Sequence, residues 1–412
     1  MSQASIPKVR YKVPHPMPVR HWALAGALLV TGQALQACGY TAGVATGRAG
    51  TMRVPDSELP HFQDDLMFAG MPEALTRQRA AGEAFEKVVL GGTEYSAEHV
   101  RRSGERFDQL VRETRSCLLK KAKEPDRKAC FAVFERAIST EFAVYTTRSP
   151  ARLTAYYTPT IDVSRKPDEE FRFAIYGLPD SPKLRRLSRR DIDFRGALAG
   201  RGLELFYARS RFDIYVLHVE GGGRVRIQSS GGPQIAYLSY AGDNGRRIRL
   251  IEEYMRRRGM LRREDVSRFA QRKYLQEHPE EAERIYASCP RFVFFRETQE
   301  PVVGSAGASL TASRSLASDP AHYPAKGLIA FVTAPLPLLP EQAVPLESNP
   351  TGLRYRQMTR FFLDQDEGPY IKGSARFDLF FGEDSYAEFL ANNLDTKGRI
   401  HFLVLKQSAG EG

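Results

Sequence analysis

Residues 361–382, FFLDQDEGPYIKGSARFDLFFG, constrain the fold of this chain more than any other stretch. Two short apolar runs, near 361–363 and 377–381, read as strands, and the Gly- and Pro-punctuated turn between them carries Asp364, Asp366, Glu367 and Lys372. Successive side chains of a strand point to opposite faces, so Phe377, Leu379 and Phe381 share one face while Arg376, Asp378 and Phe380 share the other. Asp378 is thus a carboxyl group with an aromatic neighbour on its own side. An apolar setting raises a carboxyl pKa and the Arg376 charge lowers it, so the residues alone leave the net sign open.

With 412 residues, 42% of them hydrophobic and 10% aromatic, the chain has the composition of a globular protein of about two domains rather than a disordered one. Its start differs. A basic region ending at Arg20 precedes an apolar run, 22–35, that is short for a bilayer span and gives way to small residues before Cys38, the pattern of a signal peptide over 1–37. Leu35, Gln36, Ala37 and Cys38 resemble the bacterial lipoprotein processing box, in which the cysteine is acylated and becomes the new N-terminus. Gly39 resembles the pattern of lipoproteins sent on to the outer membrane, and 38–58 then read as a lipidated tether on its periplasmic face.

The formal charge of +11 includes Lys8, Arg10, Lys12 and Arg20, with no acid in 1–37, so +7 remains beyond that segment. No basic run is interleaved with aromatics as nucleic-acid grooves require; the excess reads as solubility, and no nucleic-acid partner is expected. With Cys38 lipidated, Cys117, Cys130 and Cys289 remain in an oxidising compartment. Cys117 and Cys130 flank a helix–helix turn at Glu124, Pro125 and Asp126 and can pair. No CxxC or His/Cys spacing suggests zinc. The acidic run 364–368 hints at a calcium loop, but its Gly falls at the fifth position rather than the sixth and Ala375 stands where the bidentate Glu belongs. Neither a metal nor a cofactor is expected.

In chain order, Ser96 is placed to cap a helix with Val100, Phe107, Leu110, Val111 and Leu118 inward, and Asp126 a second with Phe131, Phe134 and Ile138 inward. The pattern turns to strand at Leu153. Between 171 and 228, FRFAIYG, LELFYA and FDIYVLHVEGGGRVRI read as short strands of a small barrel. Two helices follow, one with an apolar stripe of Ile248, Ile251, Tyr254 and Met255 stopped by Gly259, the other opened by Pro279. Residues 289–297 read as a core strand returning the chain to its first domain, and the Pro-rich 335–345 segment reads as an exposed loop.

Several short motifs recur in a fixed order: Thr154, Tyr156, Tyr157 and Pro159; 200–205, GRGLEL; Gly221, Gly223, Arg224 and Val225; 240–245, YAGDNG; 289–297, CPRFVFFRE; Asp319 and Pro320; and Asp366, Gly368, Ile371, Lys372, Gly373, Asp378, Phe380 and Gly382. In this order they resemble the membrane-bound lytic transglycosylase A family across roughly 60–406. That family cleaves the peptidoglycan glycan strand. The resemblance implies a mainly β fold with flanking helices: a double-psi β-barrel catalytic domain from 59–159 and 290–407, a smaller β-barrel domain with helices inserted at 160–289, and a groove between them.

It further implies a three-aspartate module of Asp319, Asp366 and Asp378. Asp378 is then the acid/base, Asp366 tunes or orients it, Asp319 supports the loop, and Lys372 balances the buried acids or touches a substrate oxygen. Thr154, Tyr156, Tyr157, Glu220, Gly221 and Gly223 are the expected substrate contacts. The implied activity is that of a peptidoglycan lytic exotransglycosylase, although the residues leave open whether chain ends or internal bonds are attacked and which cell-wall synthesis or division proteins recruit it. Thr158, His218, Glu220, Gly222 and Pro369 depart from the family pattern near these contacts, which motivates the alternative of a non-catalytic murein-binding lipoprotein.

Overall fold

The computed structural model describes residues 50–407 except 83–86, 122, 230, 263–264, 302, 342–343, 346, 349, 351 and 369. The signal peptide, Cys38, most of the tether and Pro369 lie outside the described residues. Thr51–Arg53 is already a strand, paired with Phe142–Thr147, so folded structure begins within the expected tether.

Eight strands form one sheet, in the order Thr51–Arg53, Phe142–Thr147, Asp395–Leu405, Ile329–Pro337, Tyr355–Glu367, Ser315–Ser318, Arg376–Phe380, Ala151–Tyr156. The last strand pairs back onto Asp395–Leu405 through Thr154 and Asp395, and this closes a barrel. Period-2 alternation divides its side chains between two cores. Leu153, Phe362, Phe377, Leu379 and Phe402 fill one, while Phe361 and Leu363 pack on the other side against the helices.

Those helices follow from one-sided patterning. Ala97–Leu119 starts where Ser96 Oγ accepts the His99 N–H at 3.1 Å, and Val100, Phe107, Leu110, Val111 and Leu118 are buried as their spacing requires. Glu124–Glu141 buries Phe131, Phe134 and Ile138, but Lys123 rather than Asp126 precedes it: Pro125 is already helical, which leaves Asp126 inside the first turn. A disulfide joins Cys117 to Cys130, with 5.9 Å between Cα atoms. Met71–Ala81 is a further helix that the periodicity does not announce.

The second sheet runs Val293–Thr298, Gln234–Asp243, Gly223–Ile227, Thr160–Ser164, Glu204–Ala208, Phe173–Tyr176, and a Gly177–Phe295 bridge joins its edges into a barrel-like form. Two expectations change here. The run FDIYVLHVE is the helix Arg211–Glu220 instead of a strand; Ser210 Oγ accepts the Phe212 N–H at 3.0 Å and Gly221 ends it at φ +80°. Ile214 and Leu217 enter one core and Phe212, Tyr215 and Val216 another, so the helix is apolar on both sides and its period is hidden. Second, Val293–Thr298 pairs with Gln234–Asp243 and so belongs to the inserted sheet. Asn244 fixes the approach, donating to Leu187 O and Pro290 O and accepting the Phe292 N–H at 2.9 Å.

Helix Ile251–Arg257 lies before Gly259 as expected. Pro279 opens a 3-10 turn ahead of helix Ala282–Ala287, and a separate helix, Arg268–Glu277, precedes them.

Candidate active site

Strand register lays a row of acids across the first barrel. Arg376–Phe380 runs parallel to Ala151–Tyr156, with Asp378 beside Thr154, and antiparallel to Ser315–Ser318, with Asp378 beside Ala317. Ala317 in turn lies beside Asp366. Two strand spacings therefore separate the backbones at Asp366 and Asp378, roughly 10 Å.

Asp364 and Asp366 sit inside strand Tyr355–Glu367 rather than in the expected turn, because the barrel supplies partners for each. Asp364 accepts from Ser318 Oγ at 2.5 Å and from Lys326 Nζ at 3.2 Å; burial pushes its carboxyl up to about 6 although Lys326 opposes the shift. Asp366 accepts the Ser305 N–H at 2.9 Å and the Tyr156 hydroxyl at 3.0 Å. Burial still raises its pKa against those hydrogen bonds.

Asp378 differs from both. Its side chain is 22% exposed, and Arg376 Nη1 lies 3.2 Å from Oδ1, yet Oδ1 has no hydrogen-bond partner among the described residues. Arg376 donates instead to Thr154 Oγ1 at 2.6 Å. Burial, with the charges of Glu220 and Asp366, pushes the Asp378 carboxyl up to about 6, against Arg376 and Arg152. The sign that the sequence leaves open is upward.

Asp319 has a structural setting. It accepts the N–H of Gly373 at 2.7 Å and of Ala321 at 3.2 Å. Burial works against ionisation, but those N–H groups, with Lys372 and His322 nearby, hold its carboxyl below the usual range. Lys372 is exposed and lies 3.6 Å from Oδ1 of the buried Asp319, so of the buried acids it faces that one. Lys326 balances Asp364, reaching Ser318 Oγ at 3.1 Å, Asp364 Oδ1 at 3.2 Å and Asp366 O at 2.9 Å. The sequence offers only one hint of this residue, a lysine directly before Gly327 and the apolar strand Ile329–Pro337.

The tyrosine pair splits. Tyr156 packs 5.2 Å from the Phe380 ring and reaches Asp366, whereas Tyr157 is buried in the barrel core with its hydroxyl 3.4 Å from Glu388. Gly221 and Gly223 sit at the helix–strand junction: a Cβ on Gly223 would lie 2.2 Å from Leu217 Cδ2 and 2.8 Å from Pro159 O. Glu220, at the end of helix Arg211–Glu220, brings its charge near Asp378 from the inserted sheet and is bound by Arg268. Thr158 and Gly222 are packed, and His218 is buried with Nδ1 2.8 Å from Arg189 Nη2. A cavity of about 330 Å³ between the sheets is reached by Tyr157, Arg224, Arg272, Glu347 and Glu383, but not by Asp378.

The arrangement offers one sheltered, partly exposed carboxyl able to exchange a proton near neutral pH, beside a second carboxyl fixed by a hydroxyl and a backbone N–H. Residues 152–296 match the family model of the MltA specific insert domain and 314–404 that of the 3D domain. The chain is 33% identical over 263 residues to membrane-bound lytic murein transglycosylase A of Escherichia coli (strain K12), covering 63% of this chain and 67% of that protein. Among solved structures, a membrane-bound lytic murein transglycosylase from Agrobacterium tumefaciens superposes with TM-score 0.63 at 25% identity, over 86% of this chain and 98% of that one. E. coli MltA with bound chitohexaose does so with TM-score 0.57 at 26% identity, over 76% and 88%.

Proposed function

Since the chain belongs to the membrane-bound lytic murein transglycosylase A family, we propose that it cleaves the β-1,4 bond between MurNAc and GlcNAc in peptidoglycan, leaving 1,6-anhydroMurNAc ends in cell-wall turnover. Glycan binding by the E. coli relative with chitohexaose supports glycan strands as the substrate. A departing sugar alkoxide is too basic to leave unaided, so a proton must reach the glycosidic oxygen. Asp378 in its neutral form donates that proton. The 6-hydroxyl of the same muramic acid unit attacks its own anomeric carbon, and the Asp378 carboxylate then accepts the hydroxyl proton, so the acid is regenerated and no water is consumed. An intramolecular nucleophile has a high effective concentration, which removes the need for a second carboxylate to activate water. Asp366, held by Tyr156 and Ser305, tunes the acid: its charge helps raise the Asp378 pKa.

The observation carrying this reading is the Asp378 carboxyl, pushed up to about 6 while still partly open to solvent. Digestion of purified sacculi, with products weighed by mass spectrometry, tests it. Wild type should release anhydro-muropeptides and Asp378→Asn should release none; wild-type binding to sacculi without anhydro product would sink the reading. We further assign the chain to the outer membrane through a lipid on Cys38. No helix among the described residues is long and apolar enough to cross a membrane. Metabolic labelling with a fatty acid should mark wild type and not Cys38→Ala.

A further inference from the structure

Glu220 stands where the family pattern has a glutamine, and a carboxylate placed there needs a counter-charge. Helix Arg268–Glu277 supplies it. Ser267 Oγ accepts the Ala270 N–H at 3.2 Å, which fixes Arg268 as the first helical residue. Arg268 Nη2 donates to Glu220 Oε1, Nη1 lies 3.4 Å from the Tyr157 hydroxyl, and the guanidinium sits 5.7 Å from the Tyr157 ring centroid. The Arg268 and Glu220 side chains are only 20% and 12% exposed. The same helix is tied to the first barrel's loop: the Phe269 N–H donates to Glu347 O at 3.1 Å, and Arg272 grips both Glu347 carboxylate oxygens at 3.0 and 2.7 Å. A planar fork held from both ends fixes its acceptor far better than a lone ammonium would.

We propose that Arg268 is a positioning residue for glycan cleavage: it holds the Glu220 carboxylate at the end of helix Arg211–Glu220 and reaches Tyr157, next to the strand paired with that of Asp378, and so sets the charge that Asp378 feels from the insert. This rests on the cleavage reading and deepens it. The other charged groups acting on Asp378 are Arg376 on its own strand, Arg152 on the neighbouring strand and Asp366 beyond Ser315–Ser318. All three belong to the first barrel. Glu220 comes instead from the insert, and Arg268 limits how much of its negative charge arrives.

Carboxyl 13C titration of Asp378 in the whole protein, run beside the pH profile of anhydro-product release, tests this. Glu220→Gln should move the Asp378 midpoint down and Arg268→Met should move it up, each by on the order of half a pH unit. Arg268→Lys, which keeps the charge but loses the fork, should move it up by less than Arg268→Met does, and the alkaline limb of product release should follow each shift. Midpoints that stay put, or that move in the same direction in both variants, would reduce Arg268 to a structural residue. If Arg268→Met does not fold, Glu220→Gln and Arg268→Lys still decide the sign. A wild type that releases no anhydro product would overturn the cleavage reading, while the titration would still report on Arg268.

Discussion

Asp378 is uncomfortable as an anion. Its folded pKa, pushed up to about 6, lies above the 3.8 of a free side chain, so the neutral form stabilises the fold below pH 4 and that contribution is lost as pH rises through 6. Asparagine does not titrate. Asp378→Asn should therefore gain stability relative to wild type between pH 4 and pH 7, by on the order of 2 kcal/mol in urea unfolding, while losing turnover. In wild type, kcat/KM for anhydro-product release should fall above pH 6 as the acid ionises. Lys326 carries the opposite lesson. Removing it in Lys326→Met leaves Asp364 buried without its cation, which should cost about 3 kcal/mol at pH 7.5. The loss should shrink at pH 5, where Asp364 takes up a proton instead. An equal loss at both values would remove the ion pair as the cause.

Elements with one apolar stripe are legible and those apolar on both sides are not. Ala97–Leu119 presents a single apolar stripe to the barrel, and its cap and buried positions can be read off the chain. Arg211–Glu220 is apolar on both sides, so its sequence looks like a strand until Ser210 and Gly221 are recognised as its two ends. The strand after it begins at Gly223, where the helix and Pro159 come too close for any side chain. Gly223→Ala should cost about 1–3 kcal/mol by forcing Leu217 and Pro159 apart, measured by thermal unfolding. A neutral result would mean that the junction yields easily. Tyr355–Glu367 exceeds its expected length for a related reason: the polar pattern from 364 to 367 looks like a turn, and only the partners across the barrel make it a strand.

At the scale of the molecule, one barrel is assembled from both ends of the chain, and the second lies between Tyr156 and Ser315. The segment before the first long helix is locked to that barrel by Arg314 and Asp64, both fully buried, at 2.6 and 2.8 Å, with Asp64 also accepting the N–H of Phe68 and Phe361. Arg314→Met should cost about 3–5 kcal/mol with an unchanged urea m-value, because an uncompensated carboxylate stays in the core. A loss below 1 kcal/mol would show that Asp64 is satisfied without it. The sequence by itself determined the order of the motifs, the one-sided helices, the strand bearing Asp378 and the family they indicate, because these depend on local period and on residue types at short spacing. Only the tertiary structure decided that Tyr156 rather than Tyr157 meets Asp366, that Lys326 faces Asp364 while Lys372 faces Asp319, and that the Asp378 pKa moves upward. Those outcomes depend on contacts between residues far apart in the chain, 210 positions in the case of Tyr156 and Asp366, and on how much water the packing excludes. No local pattern encodes either.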